Sequence, residues 1–344
     1  MVVTRAEVLK ADCDREGTMI SQLQEWAAER GFRVACGGVR VLHEVRAELA
    51  RQRSTGELHA NFCTSNLDFF RYEDSSESIA DVKAVIVVAV PRPAHRLTFE
   101  LETGPFEVTL PPTYVRYSGL FQEVRDDITS KIPELHGHLE VLVAPLKSVA
   151  CRLGLVTYGR NNLTYIPDWG SYFQLVGYVT DENIALADDW RPKPLRLMPE
   201  CESCGICSSA CPTGAINDER ILLHAELCTT LFSEQPGDLN HALSADCLFG
   251  CLDCQQICPA NSGLLRIESA GVTFDRRETE AILSGDGAGA CDTTESVTCK
   301  LALLGLTEEA HIGRNLAHLI VARRLSRQGP RNYSPDAHIC EPPG

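Results

Sequence analysis

The sequence predicts a mixed protein in which an α+β or α/β domain precedes a small cysteine-rich domain. Three observations lead to this prediction. Helix-like and strand-like apolar patterns alternate over the first half of the chain. Nine of the 16 cysteines lie between residues 201 and 258. The 344 residues are 44% hydrophobic, which is enough for two or three domains with apolar cores.

Two helices are predicted near the start of the chain. Thr18 to Arg30 carries apolar residues at helical spacing, and Gly31 supplies a stop signal. Val39 to Gln52 shows the same periodicity. Both segments should therefore place one apolar face against a sheet.

Three strands and a third helix follow. Val82 to Val90 is a β-branched run with prolines after it, which is typical of a buried strand. Leu139 to Val143 and Ser171 to Thr180 alternate as strands do. Leu146 to Leu153, between them, is predicted to be helical.

The second half is predicted to be more irregular. Asp188 to Pro199, with three prolines, is interpreted as a linker. Cys201 to Ile216 should form a loop and a short helix that reaches Cys211. The remaining predictions are helices at Leu222 to Phe232 and Glu308 to Ser326, short apolar pieces at Thr279 to Ser284 and Leu301 to Leu304, and an irregular tail over about the last 15 residues. The predicted domains are residues 1–195, 196–265 and 266–344.

The cysteines form two runs of recognisable spacing. The first is Cys201-x2-Cys204-x2-Cys207-x3-Cys211-Pro212, and the second is Cys251-x2-Cys254-x3-Cys258-Pro259. The first has the spacing of bacterial ferredoxins that hold two 4Fe-4S clusters. Two clusters need eight thiolates and the runs supply seven, so either Cys228 or Cys247 must supply the eighth. The sequence therefore predicts a path for single electrons.

Two other uses of the cysteines are weaker. Zinc sites also use C-x2-C pairs, but usually as separated pairs rather than a triplet followed by Cys-Pro. Disulfides are disfavoured because no secretory signal is recognisable at the start of the sequence. We expect a soluble, cytoplasmic protein that does not enter a membrane, since the longest apolar run is too short to cross a bilayer.

The charge balance disfavours general binding to nucleic acid. The formal net charge is −15, whereas a protein that binds phosphate backbones usually carries a basic patch. Five arginines cluster near the C-terminus, between Arg314 and Arg331. We interpret them as cations at a helix end and in a solvated tail. A local contact with nucleic acid or a partner is the alternative.

Several stretches resemble the epoxyqueuosine reductase family, whose members are cobalamin and iron–sulfur enzymes related to reductive dehalogenases. The likeness runs from about residue 81 to 261, and more loosely to 322. The stretches are Gly159-Arg160-Asn161-Asn162-Leu163, Gly170-Ser171-Tyr172-Phe173, the first cysteine run with its continuation Pro-Thr-Gly-Ala-Ile, and Gly250-Cys251-x2-Cys254-Gln255-x2-Cys258-Pro259-x-Asn261.

The resemblance implies a nitroreductase-like, cobalamin-binding α/β domain followed by a ferredoxin-like domain with two 4Fe-4S clusters. A ferredoxin or flavodoxin would supply electrons, which would pass through the clusters to a base-off corrinoid. The implied corrinoid contacts are Tyr158, Arg160, Asn161 and Ser171. The implied ligands are Cys201, Cys204, Cys207 and Cys258 for cluster 1, and Cys211, Cys228, Cys251 and Cys254 for cluster 2.

The sequence also departs from the family. The family's Val-Asp-Ser/Thr-Ala-Pro stretch, whose Asp is the proposed proton donor, corresponds here to Val141-Leu142-Val143-Ala144-Pro145. Leucine cannot donate a proton, and Tyr117 is the candidate replacement. The tRNA-binding helical repeats are reduced to about one helix. These departures favour an oxidoreductase that acts on a small or modified substrate, with a corrinoid-free electron-transfer protein and a tRNA epoxyqueuosine reductase as alternatives.

Overall fold

The computed structural model describes residues 19–73, 76, 78–184, 186, 189–217, 223–235, 237, 239, 246–284, 291–306 and 311–327. Its helices are α1 (19–29), α2 (Arg40–Ser54), α3 (Ala60–Asn66), α4 (Tyr117–Lys131), α5 (Leu146–Leu153), α6 (Ile206–Ala210), α7 (Thr229–Glu234), α8 (Asp253–Gln256), α9 (Arg276–Ser284), α10 (Cys291–Leu304) and α11 (Ile312–Arg327). Its strands are β1 (Arg33–Gly38), β2 (Ala84–Pro91), β3 (Ala94–Leu101), β4 (Gly104–Leu110), β5 (Glu140–Val141), β6 (Thr157–Tyr158), β7 (Thr164–Tyr165), β8 (Phe173–Thr180) and β9 (Ile267–Phe274).

A four-stranded antiparallel sheet lies at the centre of the N-terminal region. Its strand order is β1-β2-β8-β5. Successive side chains of β2 point to opposite faces. Ile86 and Val88 pack with α1 and α4, whereas Val85 and Val87 pack with α2 and α5. Helices therefore cover both faces, and β2 and β8 are buried along almost their whole length.

A second sheet joins distant parts of the chain. Strands β3 and β4 form an antiparallel hairpin, and β9 pairs with β3 in parallel. Helices α9, α10 and α11 share an apolar core with this sheet, which includes the stacked rings of Phe99 and Phe274 at 5.0 Å. The C-terminal helices thus pack against a hairpin from the first third of the chain.

The cysteine-rich segment contains little regular structure. It consists of α6, α7, α8 and short 3₁₀ turns, joined by loops. The preceding residues 189–198 form neither helix nor strand, apart from a bridge between Leu197 and Tyr158. Trp190, Leu195 and Leu197 pack against the core below α2 and α5. The predicted linker is therefore anchored to the first domain by its apolar side chains.

Most of the predicted elements are present. Helix α5 has the predicted bounds, and β2 and β8 begin and end within two residues of prediction. The apolar pieces near residues 280 and 302 lie inside α9 and α10. The predicted helix from Glu308 corresponds to α11, which begins at Ile312. Residues 307–310 lie outside the described ranges. The start of the first helix at Thr18 and the C-terminal tail also lie outside those ranges.

Two predictions of secondary structure need correction. The strand Leu139 to Val143 is reduced to Glu140–Val141, because the chain leaves the sheet edge ahead of Pro145. The helix Leu222 to Phe232 is wrong as a single element. Cys228 is extended there, with φ −73° and ψ 129°, and separates a 3₁₀ turn from α7. Elements β1, β3, β4, β9, α3 and α4 were not predicted.

Across the described ranges, none of the helices combines the length and the apolar composition that crossing a bilayer requires. The boundaries of the three predicted domains stay predictions.

Candidate metal centre

Four cysteines from both runs line one small cavity. Tyr165 and the turn at residues 159–161 complete its wall. Three of these cysteines come from the first run, and the fourth lies more than 50 residues later. They are Cys201, Cys204, Cys207 and Cys258. The fold thus brings together the set that the resemblance assigns to cluster 1.

A second group of cysteines lies around Cys254. Burial, and to a lesser extent the neighbouring thiols of Cys228, Cys207 and Cys211, raise the pKa of Cys254 to about 12. Cys251 also interacts electrostatically with Cys254. Because Cys207 belongs to the first set, the two sets are neighbours. Electrons could pass between clusters held at these positions.

The turn after Cys211 explains the residues that follow it. Burial alone would raise the pKa of Cys211, but hydrogen bonds from the backbone of Thr213, Ile216 and Ala215 and from the Thr213 hydroxyl hold it below its ordinary value. Gly214 has φ +67°, a conformation that favours glycine. The Cys-Pro-Thr-Gly-Ala-Ile sequence therefore surrounds one sulfur with donors, and such donors raise the reduction potential of a cluster by stabilising its added negative charge.

The eighth ligand has two candidates in different surroundings. Cys228 precedes α7 and interacts with Cys254. Cys247 is 2% exposed, packs with Tyr172 in a small apolar cluster, and lies near Cys251. Its burial among apolar side chains favours a structural thiol. The assignment to Cys228 stays a prediction.

The spacing of the sulfur atoms argues against mononuclear zinc. Four thiolates on one zinc ion lie about 3.8 Å apart, given Zn–S bonds of about 2.3 Å and tetrahedral geometry. Among the described residues, which include all nine of these cysteines, no three cysteine sulfurs lie within 4.8 Å of one another. Within the described residues, the possible metal-ligand atoms of His138, Asp181 and Glu182 do lie within 4.8 Å of one another. These three residues lie near the start of β5 and the end of β8.

Two residues predicted to contact a corrinoid also contact the cysteine-bearing segments. Arg160 donates from Nη2 to the carbonyl oxygen of Cys201 at 2.7 Å. Asn161 is 3% exposed and donates from Nδ2 to the carbonyl oxygen of Cys254 at 3.3 Å. This turn therefore reaches both cysteine sets. A role for either residue toward a corrinoid stays a prediction.

Two tyrosines stand on either side of the same turn. The Tyr165 hydroxyl accepts a hydrogen bond from Asn161 Nδ2 at 2.9 Å. It also forms a hydrogen bond with the sulfur of Cys258. Tyr158, another predicted corrinoid contact, is 2% exposed and lies 3.0 Å from the Ser148 hydroxyl. Tyr165 was predicted only as one of several tyrosines near the cofactor cleft; its contact with a cysteine was not, although it lies three residues after the Asn161-Asn162 pair.

A buried amide network fastens Ser171 to the segment after Cys258. Asn261 Oδ1 accepts from the Ser171 backbone N–H at 2.8 Å, and Nδ2 donates to the Ser171 hydroxyl at 2.9 Å and to the Gln255 carbonyl at 2.8 Å. Gly170 has φ +62°, and a Cβ there would overlap the Asn261 side chain. The network explains why Gly-Ser and Cys-Pro-x-Asn occur together.

The first turn of α5 places a lysine near the second group of cysteines. Leu142, at the position of the family's acid, is 6% exposed and packs near Gly177. Lys147 donates from Nζ to the carbonyl oxygen of Asn162 at 2.9 Å. The desolvation of its ammonium group by surrounding protein atoms lowers the pKa of Lys147, and the nearby thiols of Cys228 and Cys254 act in the opposite direction. Sequence reasoning missed this residue, because a single lysine in the first turn of a helix has no distinctive spacing.

Tyr117, the candidate proton donor, begins α4. Its side chain is 48% exposed, and its ring meets Phe121 edge to face at 5.5 Å. Its carbonyl oxygen accepts from Gln174 Nε2 at 3.0 Å. Partial burial raises the pKa of the Tyr117 hydroxyl, so the phenol keeps its proton at neutral pH. Its catalytic role stays a prediction.

Comparisons with known proteins identify the cysteine-rich segment. Residues 200–261 match the family described as a 4Fe-4S double cluster binding domain. The prediction of a double-cluster domain from the cysteine runs is thereby confirmed.

Proteins named epoxyqueuosine reductase are similar in sequence. The one from Bacillus subtilis strain 168 is 33% identical over 120 residues, which are 34% of this chain and 29% of that protein. The one from Leadbetterella byssophila is 26% identical over 261 residues, which are 70% of this chain and 79% of that protein. The match to the B. subtilis protein thus spans less than a third of that relative's length.

Solved structures of epoxyqueuosine reductases share the fold. A selenomethionine-labelled one superposes with a TM-score of 0.62 and 19% identity, covering 91% of this chain and 84% of that chain. Another, with a stem loop of tRNA-Tyr modified with epoxyqueuosine, gives 0.59 and 19%, covering 90% and 84%. The resemblance inferred from the sequence and the mixed α/β architecture are confirmed. The nitroreductase-like character of the first domain stays a prediction.

Proposed function

We propose that this protein is an iron–sulfur oxidoreductase that passes single electrons through two 4Fe-4S clusters to a base-off corrinoid, for the reduction of a small or modified substrate. A ferredoxin or flavodoxin would supply the electrons. The single observation that carries the proposal is the meeting of Cys258 with the triplet of the first run around one cavity. A triplet completed by the cysteine of a distant Cys-Pro is the ligand arrangement of double-cluster ferredoxins.

The polypeptide around the two cysteine sets would fix their separation. Asn161 holds the Cys254 carbonyl, Arg160 holds the Cys201 carbonyl, and the Tyr165 hydroxyl meets the sulfur of Cys258. These contacts come from one short turn, so movement between the sets is restricted. A fixed separation keeps the electron-transfer distance constant.

Buried polar atoms without partners fit the polar groups of a corrinoid. Among the described residues, Asn162 Oδ1, Thr229 Oγ1, Gln174 Oε1 and Arg92 Nε are buried without a hydrogen-bond partner. Buried polar groups normally have one. A corrinoid carries amide side chains around its ring, which offer both donors and acceptors. These four residues, with Lys147, would hold it.

When bound, a corrinoid supplies a cobalt centre that becomes strongly nucleophilic on reduction. This chain's own residues would orient the substrate and provide a proton. Leu142 cannot provide one. Tyr117 carries an exposed phenol, and Lys147 carries an ammonium beside Cys228 and Cys254. Either group could hold the proton at the reducing site.

Metal and corrinoid analysis of anaerobically purified protein tests the proposal. We expect about eight irons per chain, and stoichiometric corrinoid after reconstitution with cobalamin, seen in the absorption spectrum. Zinc in place of iron, or fewer than about five irons, would refute the two-cluster proposal. Eight irons without corrinoid binding would instead favour an electron-transfer protein that serves a partner enzyme.

Reduction of epoxyqueuosine in tRNA is the second candidate function. It is supported by the names of the similar proteins and by the solved relative with a modified tRNA stem loop. The apolar, buried Leu142 and the net charge of −15 weigh against it.

An assay with epoxyqueuosine-containing tRNA decides between the two. Turnover by the protein as it stands would establish the second candidate and require another proton donor, with Tyr117→Phe as the first variant to compare. Turnover by Leu142→Asp alone would show that the tRNA site survives without its acid. If neither form acts on the tRNA, this candidate is excluded.

A further inference from the structure

Helix α11 contacts two of the three segments that carry the predicted ligands of cluster 2, those of Cys228 and of Cys251 and Cys254. Cys228 and Cys251 are 23 positions apart in the sequence, so local spacing does not fix the distance between them. Cys228 lies at the start of α7, which has only six residues. Helices this short are not stable alone. Something outside α7 must therefore hold Cys228 in place.

The side chain of Arg314 caps the C-terminal end of α7. Its Nη1 donates to the carbonyl oxygens of Gln235 and Gly237, both at 2.7 Å. Its Nη2 donates to those of Phe232 at 3.1 Å and Ser233 at 3.3 Å. The last carbonyls of a helix lack partners within the helix and attract cations. One guanidinium thus satisfies several of these carbonyls.

Asn315 joins α7 to the segment before Cys251. It is fully buried, and its Nδ2 donates to the carbonyl oxygens of Ser233 and Leu248, both at 2.9 Å. Its Oδ1 accepts from the guanidinium of Arg314 at 2.9 Å. A single amide therefore links both ligand-bearing segments to α11.

Ser233 completes the connection. Its hydroxyl accepts from the Gly250 backbone N–H at 2.9 Å, one residue before Cys251. Gly250 has φ +67°, and a Cβ there would approach the ring of Tyr114 to 2.8 Å. The hydrogen bonds thus run from α11 through α7 to the residue that precedes Cys251.

We propose that Arg314 and Asn315 are positioning residues for cluster 2, holding Cys228 at the distance from Cys251 that one cubane requires. The inference rests on the proposed function, because it takes Cys228 as a cluster ligand. From the sequence, Arg314 is interpreted as a solvated cation or as a contact for nucleic acid or a partner. The inference assigns it a structural role within the protein instead. Helix α11 would then help to assemble cluster 2, which is part of the proposed path of the electrons.

Iron content and EPR spectra of five variants test the inference. Cys228→Ser is the reference, since its spectrum identifies the signal that belongs to cluster 2. We expect Asn315→Ala and Arg314→Ala to fall from about eight irons to about four per chain, with loss of the same signal. Arg314→Lys should keep more iron than Arg314→Ala but give a broadened cluster 2 signal, because an ammonium cannot reach all four carbonyls. Arg324→Ala, at an exposed position on α11, is the matched control.

The outcomes separate the inference from the function beneath it. Wild-type iron and an unchanged spectrum in Asn315→Ala and Arg314→Ala would overturn the inference while the two-cluster proposal stands. Equal loss of both clusters, together with loss of helical circular dichroism, would also overturn it, because positioning must be selective for cluster 2. Iron-free wild-type protein would refute the proposed function itself.

Discussion

Replacing Asn261 by alanine should weaken the attachment of cluster 1 to the α/β core. The amide makes three buried hydrogen bonds, at 2.8, 2.9 and 2.8 Å, to Ser171 and Gln255. Each contributes about 1 kcal/mol, so the loss is about 3 kcal/mol. With an unfolding entropy of about 2.1 cal/mol/K per residue over 344 residues, Tm should fall by about 4 °C. Thermal unfolding followed by circular dichroism under anaerobic conditions measures this shift.

A second measurement follows the cluster itself. Asn261 lies three residues after Cys258, so its removal should also speed the release of iron to a chelator, seen as loss of absorbance. Asn66→Ala is the matched control, because Asn66 makes one local hydrogen bond, to the Phe62 carbonyl at 3.2 Å in α3. If Asn261→Ala lowers Tm by less than about 1 °C, as expected for the control, the network does not fasten the two segments.

Other perturbations test neighbouring features. Cys228→Ser should lower the iron content from about eight to about four per chain, whereas Cys247→Ser should leave it unchanged. Iron analysis of both variants measures this. The opposite result would reverse the ligand assignment. Lys147→Met should make the midpoint potential of cluster 2 more negative by about 50 mV, because a nearby cation stabilises the added electron; redox titration measures it, and Lys147→Arg should restore the potential. Burial alone would raise the pKa of Glu278, but the hydrogen bond from Lys300, at 2.6 Å, helps hold it below 4.5. The carboxylate therefore stabilises the fold at neutral pH and loses that effect as the pH falls below 4.5 through its lowered pKa. Glu278→Gln should cost about 2 kcal/mol at about pH 7, and a urea-unfolding difference that persists unchanged to about pH 3.5 would contradict this.

Local patterns predicted the two middle strands of the central sheet, β2 and β8, well. The β-branched run of β2 and the alternation in β8 have no competing helical pattern, and α5 ends at a glycine. Helix α4 was not predicted, although Leu120, Val124 and Ile128 recur at intervals of four. The β3–β4 hairpin also carried alternating apolar residues. Strand β9 alternates only over its second half, at Ala270, Val272 and Phe274, whereas its first three residues are exposed.

The double-cluster domain could be predicted because the cysteines of ferredoxin-type domains lie at short, fixed spacings. The residues that hold them could not, since their partners are distant in sequence. Asn161 meets Cys254, and Asn261 meets Ser171, across about 90 positions in each case. Lys147 carries no pattern of its own. Hydrogen bonds between distant loops leave no periodic trace, so only the fold reveals these roles.

The parallel pairing of β3 with β9 has a consequence for biosynthesis. During translation the β3–β4 hairpin leaves the ribosome more than 160 residues before its partner strand exists. All nine clustered cysteines are made in that interval, while the C-terminal helices are still absent. The cysteine-rich segment is therefore synthesised in full before β9 can pair with β3 and before the C-terminal helices can pack on this sheet.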